Sequence, residues 1–422
     1  MRNLVAEAKA QYKELIEKAV NEAIAAGELP EGEIPKFNIE IPADNKNGDL
    51  AANVAMVSAK AFRKGPRQIA DAIVAHIDLD GTYFEKAEVA GPGFLNVFYA
   101  PHWFAETVSA VLTEKDTYGT GNMGEGKKVM VEFVSANPTG PMHMGNARGG
   151  ALGDCLASVL SKAGYQAYRE FYVNDAGNQI EKFAKSLEAR YLQIYKGDEI
   201  VFPEDGYQGG DITDLANEYN GLYGDALLNV SSEERQKALV DYALPKNIKK
   251  MQEDMATYRI TYDKWFFESE LHKSGAVKAV VDELSAKGLT YEQDGAVWYK
   301  NREVVTERLL REGKTQAYID NLKLKDDVLI RQNGNPTYFA ADIAYHRNKF
   351  NRGFDHCINV WGADHHGHVA RMKGAMDAVG MDGNNLNVVL SAVKVSENEG
   401  NLKLCDTCAV AACFFTLCGE YV

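Results

Sequence analysis

The stretch "VEFVSANPTGPMHMGNARGGALGD", Val131 to Asp154, ends a hydrophobic run on Ser-Ala-Asn-Pro-Thr-Gly-Pro and sets His143, Gly145 and Asn146 just ahead of a helical pattern. A helix N-terminus offers unpaired N–H groups and a partial positive charge, so it attracts phosphate. Gly145 lets a flat ligand approach the backbone, and His143 and Asn146 can donate to phosphate or ribose oxygens. The ligand class implied is a nucleotide. The strand is not followed by G-x-G-x-x-G or G-K-[ST], so the usual phosphate loops are absent. By spacing alone, the commoner role for a lone histidine here is an N-terminal cap or a surface residue. Later, "GADHHGH" gathers a carboxylate and three imidazoles, donors that Zn²⁺ accepts. Three histidines within four positions cannot all point inward, so no metal site is expected.

These residues need elements to hold them. "KVMVEFV" is a continuous apolar run of the kind found in a buried parallel strand. A helix over 147–163 follows, with Ala151, Leu152, Leu156, Val159 and Leu160 on one face. "QAYREFYV" reads as the next strand and "DAGNQIEKFAKSLEARYLQIY" as the next helix. This alternation predicts a doubly wound parallel sheet with ligands beyond the carboxyl ends of its strands. Residues from about 200 to 325 are more polar and helical and read as an insertion. The alternation resumes in "DDVLIRQNGNPTYFAADIAYH" and "HCINVWGADHHGHVARMKGAM". Ahead of all this, residues 1–118 read as a small α+β unit. It has a helix over about 1–26, a strand at "FNIEIP", two helices broken at Gly65-Pro66, and two strands around Gly91-Pro92-Gly93.

The bulk numbers bound the reading. A length of 422 residues exceeds one core. Apolar content of 45% and charged content of 25% are those of a globular chain. No stretch reaches the roughly 18 uncharged apolar residues of a membrane span, and the charged N-terminus has no signal-peptide core. A cytoplasmic location with no membrane partner is expected. The net charge of -14 argues against indiscriminate nucleic-acid binding but allows a local basic face. Six cysteines suggest no disulfide framework.

"SANPTGPMHMGN" resembles the first signature of class I aminoacyl-tRNA synthetases, the segment ending His-x-Gly-His. The wider stretch through "REFYVNDAGNQI" is similar to bacterial arginyl-tRNA synthetases in particular. "ITYDKWFFES", "GAVWYK", "YFAADIAYHRNKF" and "VWGADHHGHVARMKGAM" follow in the family's order, while "GDLAANVAM" and "VAGPGFLNV" resemble its N-terminal tRNA-elbow domain. The resemblance covers roughly residues 1 to 390. It implies a Rossmann-like parallel-sheet catalytic domain over 119–390, with the helical insertion inside it, after the α+β domain.

The implied activity is arginine–tRNA ligation by a monomer, from L-arginine, ATP with Mg²⁺, and tRNA(Arg). The alternative is a non-catalytic tRNA-binding or regulatory paralogue. By resemblance His143, Gly145 and Asn146 are catalytic and hold ATP, with Pro138, Thr139 and His368 beside them. Asn146 replaces the family's usual second histidine. Glu132, Ser135 and Asn137 line the arginine pocket; Tyr338 and Asp342 read the guanidinium, and His365 is a further pocket position. A carboxylate at Asp342 suits a guanidinium, whose rigid fork gives it two parallel bonds; its bland role is a helix-start acid favoured by the dipole. Arg63, Lys64 and Arg67 are the candidate tRNA phosphate contacts.

The match stops after about Leu390. The family continues through a Lys-Met-Ser-Lys signature and an anticodon-binding domain, whereas residues 391–422 form a tail holding Cys405, Cys408, Cys413 and Cys418. That tail reads as an altered or out-of-frame end rather than a C-x-x-C metal site. Thr139, Gly140 and Pro141 supply no substitute cation ahead of His143. One missing transition-state donor costs roughly 10²–10³ in rate. Pyrophosphate exchange by this 422-residue chain, with arginine, ATP and tRNA present, is therefore expected to fall that far below a relative carrying both signatures. A comparable rate would refute the expectation.

Overall fold

The computed structural model of the chain describes residues 3–362 and 366–391 and the short strands 395–396 and 403–404. It divides into two compact units, Met1–Gly121 and Asn122–Val422. The cysteines of the tail lie outside the described residues, as does His365.

In the first unit α1 (Leu4–Ala25) begins at Asn3, whose side chain accepts from the Ala6 N–H at 3.0 Å, satisfying one orphan donor of the first turn. Leu4, Ala8, Tyr12, Ile16, Ala19 and Ala23 form its buried stripe. The sheet is antiparallel, in the order β1 (Ile39–Glu40), β2 (Leu50–Ala52), β4 (Phe94–Tyr99), β3 (Phe84–Ala90). Helices α2 (Val54–Phe62) and α3 (Pro66–Ala75) sit between β2 and β3 in the chain, and α4 (Pro101–Glu114) closes the unit. Pro66 stands at the first turn of α3, where its missing N–H removes no helix bond. The strand expected over "FNIEIP" shrinks to two residues, because Pro35 and Pro42 flank it and cannot donate to a ladder.

The second unit starts with β5 (Lys128–Glu132), α5 (Met144–Lys162), β6 (Gln166–Val173) and α6 (Asn178–Lys196). Two helices, α7 (Gly210–Tyr223) and α8 (Ser232–Thr257), build a satellite core on α6 around Phe183, Tyr191, Ile212 and Leu239. The polar stretch 200–325 is not one uninterrupted insertion, since β7 (Lys264–Phe267) falls inside it and joins the main sheet beside β6. After α9 (Glu268–Lys273) and α10 (Ala276–Ala286) come β8 (Thr290–Gln293), β9 (Ala296–Tyr299), α11 (Asn301–Arg311), α12 (Gln316–Asn321) and β10 (Asp327–Ile330). "DDVLI" was expected to rejoin the parallel alternation; β10 instead pairs antiparallel with β9 in a separate three-stranded sheet. A short apolar run signals a strand but not its partner. The unit continues through α13 (Tyr338–Asn351), β11 (His356–Gly362), α14 (His366–Ala378) and β12 (Leu386–Ser391), with a small pair β13 (Val395–Ser396) and β14 (Lys403–Leu404) beyond.

Among the described residues the main sheet has five strands, all parallel, in the order β12-β11-β5-β6-β7. The expected doubly wound α/β fold is therefore present. Alternation along β5 feeds two cores. Val129, Val131 and Phe133 pack toward α5 with Leu156 and Leu160, while Met130 faces α13 and α14. Successive strands leave β5 in opposite directions, β6 on one side and β11 on the other, so the switch point lies between β5 and β11. Crevices for ligands open there, beyond the carboxyl ends.

The contact face of α5 differs from the expected one. It starts at Met144, three residues early, and Val159 is exposed. Its closest approach to the sheet is made by glycine: a Cβ on Gly153 would stand 2.1 Å from Phe133 Cγ, and one on Gly150 2.9 Å from Ile260 Cδ1. Gly153→Ala is expected to destabilise this unit by about 1–3 kcal/mol, the usual cost of overpacking, read as a lower denaturant midpoint for its unfolding transition.

Candidate active site

The chain leaves β5 through a strained turn. Val134 has φ 70° and Ser135 φ 43°, and the Ser135 N–H donates to the Phe133 carbonyl at 3.1 Å. A β-branched residue in that region is disfavoured and persists only where the surroundings over-determine it. The turn aims Ser135 back at the strand it has left: its hydroxyl donates to Glu132 Oε1 at 2.8 Å and accepts the Tyr172 N–H at 3.2 Å.

His143 is the N-cap of α5. Its Nδ1 accepts the Gly145 N–H at 3.1 Å, and its own N–H donates to Asn146 Oδ1 at 2.9 Å, a reciprocal capping box. A Cβ on Gly145 would meet the His143 ring at 3.0 Å, so glycine lets the ring fold over the helix start. The cap leaves donors on both side chains facing outward. With Nδ1 accepting, the ring proton of a neutral imidazole sits on Nε2, and Asn146 keeps its amide N–H groups for a ligand. The three residues line a cleft of about 190 Å³ with Val134, Val360, Trp361 and Gly362. Pro138 and Thr139 line neither this cleft nor the larger cavity beside it; the Pro138 carbonyl accepts from Asn247 on α8 at 2.9 Å, and Thr139 is buried.

The larger cavity, about 760 Å³, shares Val134, Val360, Trp361 and Gly362 with the cleft. Glu132, Ser135 and Asn137 line it from β5 and the turn, and Tyr338 and Asp342 from the first turns of α13. His368, assigned to ATP by resemblance, lies in this cavity, its Nε2 3.2 Å from Asp342 Oδ2 and its ring 5.3 Å from that of Trp361.

Sequence reading does not single out His346 and Tyr345, which line the cavity, or Lys349, Asn359, Glu170 and Arg352, which stand behind its wall. Lys349, with no exposed surface, donates to Glu132 Oε2 and to Asn359 Oδ1, the latter at 2.8 Å. Asn359 Nδ2 donates to His346 Nε2 at 2.6 Å, and His346 Nδ1–H donates to the Asp342 carbonyl at 2.8 Å. Burial, with the Lys349 charge behind it, holds the His346 imidazole well below the usual histidine range. Arg352 grips Glu170 on β6 with two bonds, at 2.6 and 2.7 Å, and Tyr345 donates to the same carboxylate at 2.8 Å. A signal was available. Tyr338, Asp342, Tyr345, Lys349 and Arg352 recur every three or four residues, which puts them along one helix face.

Glu268, at the start of α9, is a further missed residue. It is buried, lines an adjoining 270 Å³ cavity that shares Tyr338 with the large one, and lies 3.3 Å from His272 Nε2. Asn174 satisfies its neighbours with Nδ2 donating to Glu268 Oε2 at 2.9 Å. Burial pushes the Glu268 carboxyl up, against the lowering effect of Tyr172 and His272. Burial, then Glu268 and Asp342, push the Tyr172 phenol up. Arg371 also lines the large cavity, where it pairs with Asp327, and Arg331 lines the adjoining one.

A family model described as the arginyl tRNA synthetase N-terminal domain matches residues 10–99, and one for the catalytic domain of class I (R) tRNA synthetases matches residues 107–391. The chain belongs to the class I arginyl-tRNA synthetase family. It is 53% identical over 392 residues to a protein named arginine–tRNA ligase from Ruminiclostridium cellulolyticum, and 54% identical over 391 to one from Caldanaerobacter subterraneus. Both matches cover 92% of this chain and 66% of the relative, so the chain spans slightly less than two thirds of their length. A Thermus thermophilus arginyl-tRNA synthetase structure shares the fold, with a TM-score of 0.53 at 20% identity over 92% of this chain and 67% of that one. Class I synthetases use ATP, which fits a cleft built on a helix N-terminus.

Two substitutions separate the cap from the ligand. His143→Ala removes the acceptor for the Gly145 N–H and should cost about 1 kcal/mol. His143→Asn keeps an acceptor at the cap and should stay within about 0.5 kcal/mol of the parent. Both should weaken ATP binding; equal stability of the two variants in denaturant melts would argue against the cap.

Proposed function

We propose that the second unit binds L-arginine in the large cavity and ATP in the cleft, forms arginyl-adenylate, and transfers the arginyl group to tRNA(Arg). The observation that carries this reading is the wall shared by the two cavities. One ligand held by Asn137, Tyr338 and Asp342 meets another held by His143 and Asn146 across Val134 and Gly362.

The arginine carboxylate attacks the α-phosphorus in line. An oxygen–phosphorus bond forms, the bond to the β-phosphate oxygen breaks, and pyrophosphate leaves. A tRNA ribose hydroxyl then takes the acyl group and AMP departs. No protein nucleophile is required; the chain contributes positioning and charge. Lys349 and Arg352 neutralise Glu132 and Glu170, which leaves Asp342 and Glu268 as acceptors for a guanidinium fork. Among the described residues no three His, Cys, Asp or Glu side chains are grouped as a metal site. Mg²⁺ would enter with the ATP phosphates. Among the described residues no helix is long and apolar enough to cross a membrane.

Asp342→Ala tests the pocket. Truncating one partner of a buried charge pair costs about 2–5 kcal/mol. The Asp342 side chain is 36% exposed, which points to the lower end, roughly thirtyfold in affinity for arginine. Calorimetry giving an unchanged affinity would remove Asp342 from the pocket.

The first unit is assigned to the tRNA elbow through Arg63, Lys64 and Arg67. These sit where α2 passes into α3. Lys64 donates to the Glu28 carbonyl and Arg67 Nε lies 3.3 Å from Asp71, so Arg67 must exchange one anion for another. Neutralising all three should lower the salt slope of tRNA binding by about one unit per lost phosphate contact; a slope equal to the parent's would exclude them.

A further inference from the structure

We propose that Lys349 is a positioning residue for the cavity: its buried ammonium keeps Glu132 ionised and oriented, and ties the two facing walls to one charge. The inference rests on the reading of this cavity as an arginine site. Lys349 enters from α13 with its ammonium 4.3 Å from the Tyr345 ring centre and only oxygen acceptors ahead of it, Glu132 Oε2 and Asn359 Oδ1. From Glu132 the bonds run through Ser135 to the Tyr172 backbone on β6. From Asn359 they run through His346 to the Asp342 backbone. Each member has its donors and acceptors fixed by the next. Asn359 spends its oxygen on Lys349, so its nitrogen must donate, and His346 must accept at Nε2.

The surroundings leave Lys349 as the compensating cation for Glu132. On β6, Glu170 is in direct register with Glu132 and adds a like charge, while Tyr172 is a neutral phenol. On α13, Arg352 and Tyr345 are committed to Glu170, His346 is neutral, and Asp342 is a second anion. On β11 the Cys357 thiol is pushed up to about 12 by burial, and Tyr262, ahead of β7, is pushed up by burial as well. A buried carboxylate deprived of its counter-charge takes up a proton.

The test uses Lys349→Met, and Lys349→Gln as a gentler neutral change, in the 422-residue chain. Arginine affinity is measured at pH 6 and pH 8.5, and each value is divided by the parent's at the same pH, which cancels every titration the variants share with the parent. Without the ammonium, Glu132 is protonated at low pH and ionises as pH rises. The relative affinity should therefore be at least tenfold lower at pH 6 than at pH 8.5. In Lys349→Met/Glu132→Gln the ratio should not vary with pH. A pH-independent ratio in the single variants overturns the proposal.

A ligand-free arm follows glutamate carboxyl ¹³C signals, with Glu132 assigned by its loss in Glu132→Gln. Its titration should move to higher pH in the Lys349 variants, and no movement overturns the proposal whether or not arginine binds. A parent chain that binds no arginine, together with a shifted titration, defeats the functional reading alone. If neither single variant folds but the double neutral variant does, charge compensation is supported; failure of the double as well marks Lys349 as a packing residue and overturns it.

Discussion

Two carboxylates face each other across neighbouring strands in the middle of the catalytic unit. Glu132 on β5 and Glu170 on β6 are in register and buried, so their side chains emerge on the same face. Like charges so placed repel, and each has lost its water. The arrangement persists because α13 lies over them and delivers Lys349 to one and Arg352 to the other. Removing one partner of such a pair leaves an uncompensated charge at a typical cost of about 3–5 kcal/mol. The placement of α13 is thereby tied to the strands, and α13 carries Tyr338 and Asp342.

The remaining geometry hangs on the same point. Because Glu132 is held from behind by Lys349, it can hold Ser135 in front, across a turn whose φ values a β-branched residue and a serine rarely adopt. That turn leads to Asn137 and, through the buried Pro138 and Thr139, to the cap at His143. The strain stored at Val134 sits on the wall that the two cavities share. Strained backbone beside a site is a common way of pre-organising it, and here the hydrogen bonds that over-determine the turn can be named.

Charge in the pocket follows. Glu132 and Asp342 line the large cavity, Glu181 and Glu268 the adjoining one, and Glu170 lies behind them; α13 pairs with Glu132 and Glu170, while Asp342 and Glu268 remain as acceptors. His368 stands beside Asp342 at 3.2 Å. Tyr338 borders both the large cavity and the one lined by Glu268, and so stands between two carboxylates.

Much was legible in the residues themselves. The apolar run of β5 and the alternation of strands and helices through β6 and α6 are short-range patterns, set by side-chain period and turn chemistry, and they stand as read, apart from the start and contact face of α5. The cap at His143 is equally local, since its partners are two and three residues away. Asp342 and Tyr338, which line the large cavity, are singled out by resemblance to a family and not by spacing. The Lys349–Glu132 pair joins residues 217 apart and the Arg352–Glu170 pair residues 182 apart, separations over which no periodicity carries information. For the same reason β7 was absorbed into a supposed insertion and β10 was given to the wrong sheet: local sequence determines that a strand forms, and only packing decides which neighbour completes its hydrogen bonds. The glycine face of α5 and the burial of Glu268 belong to that second class, because the distance from Gly153 to Phe133 and the loss of water around a carboxylate exist only once the layers have closed.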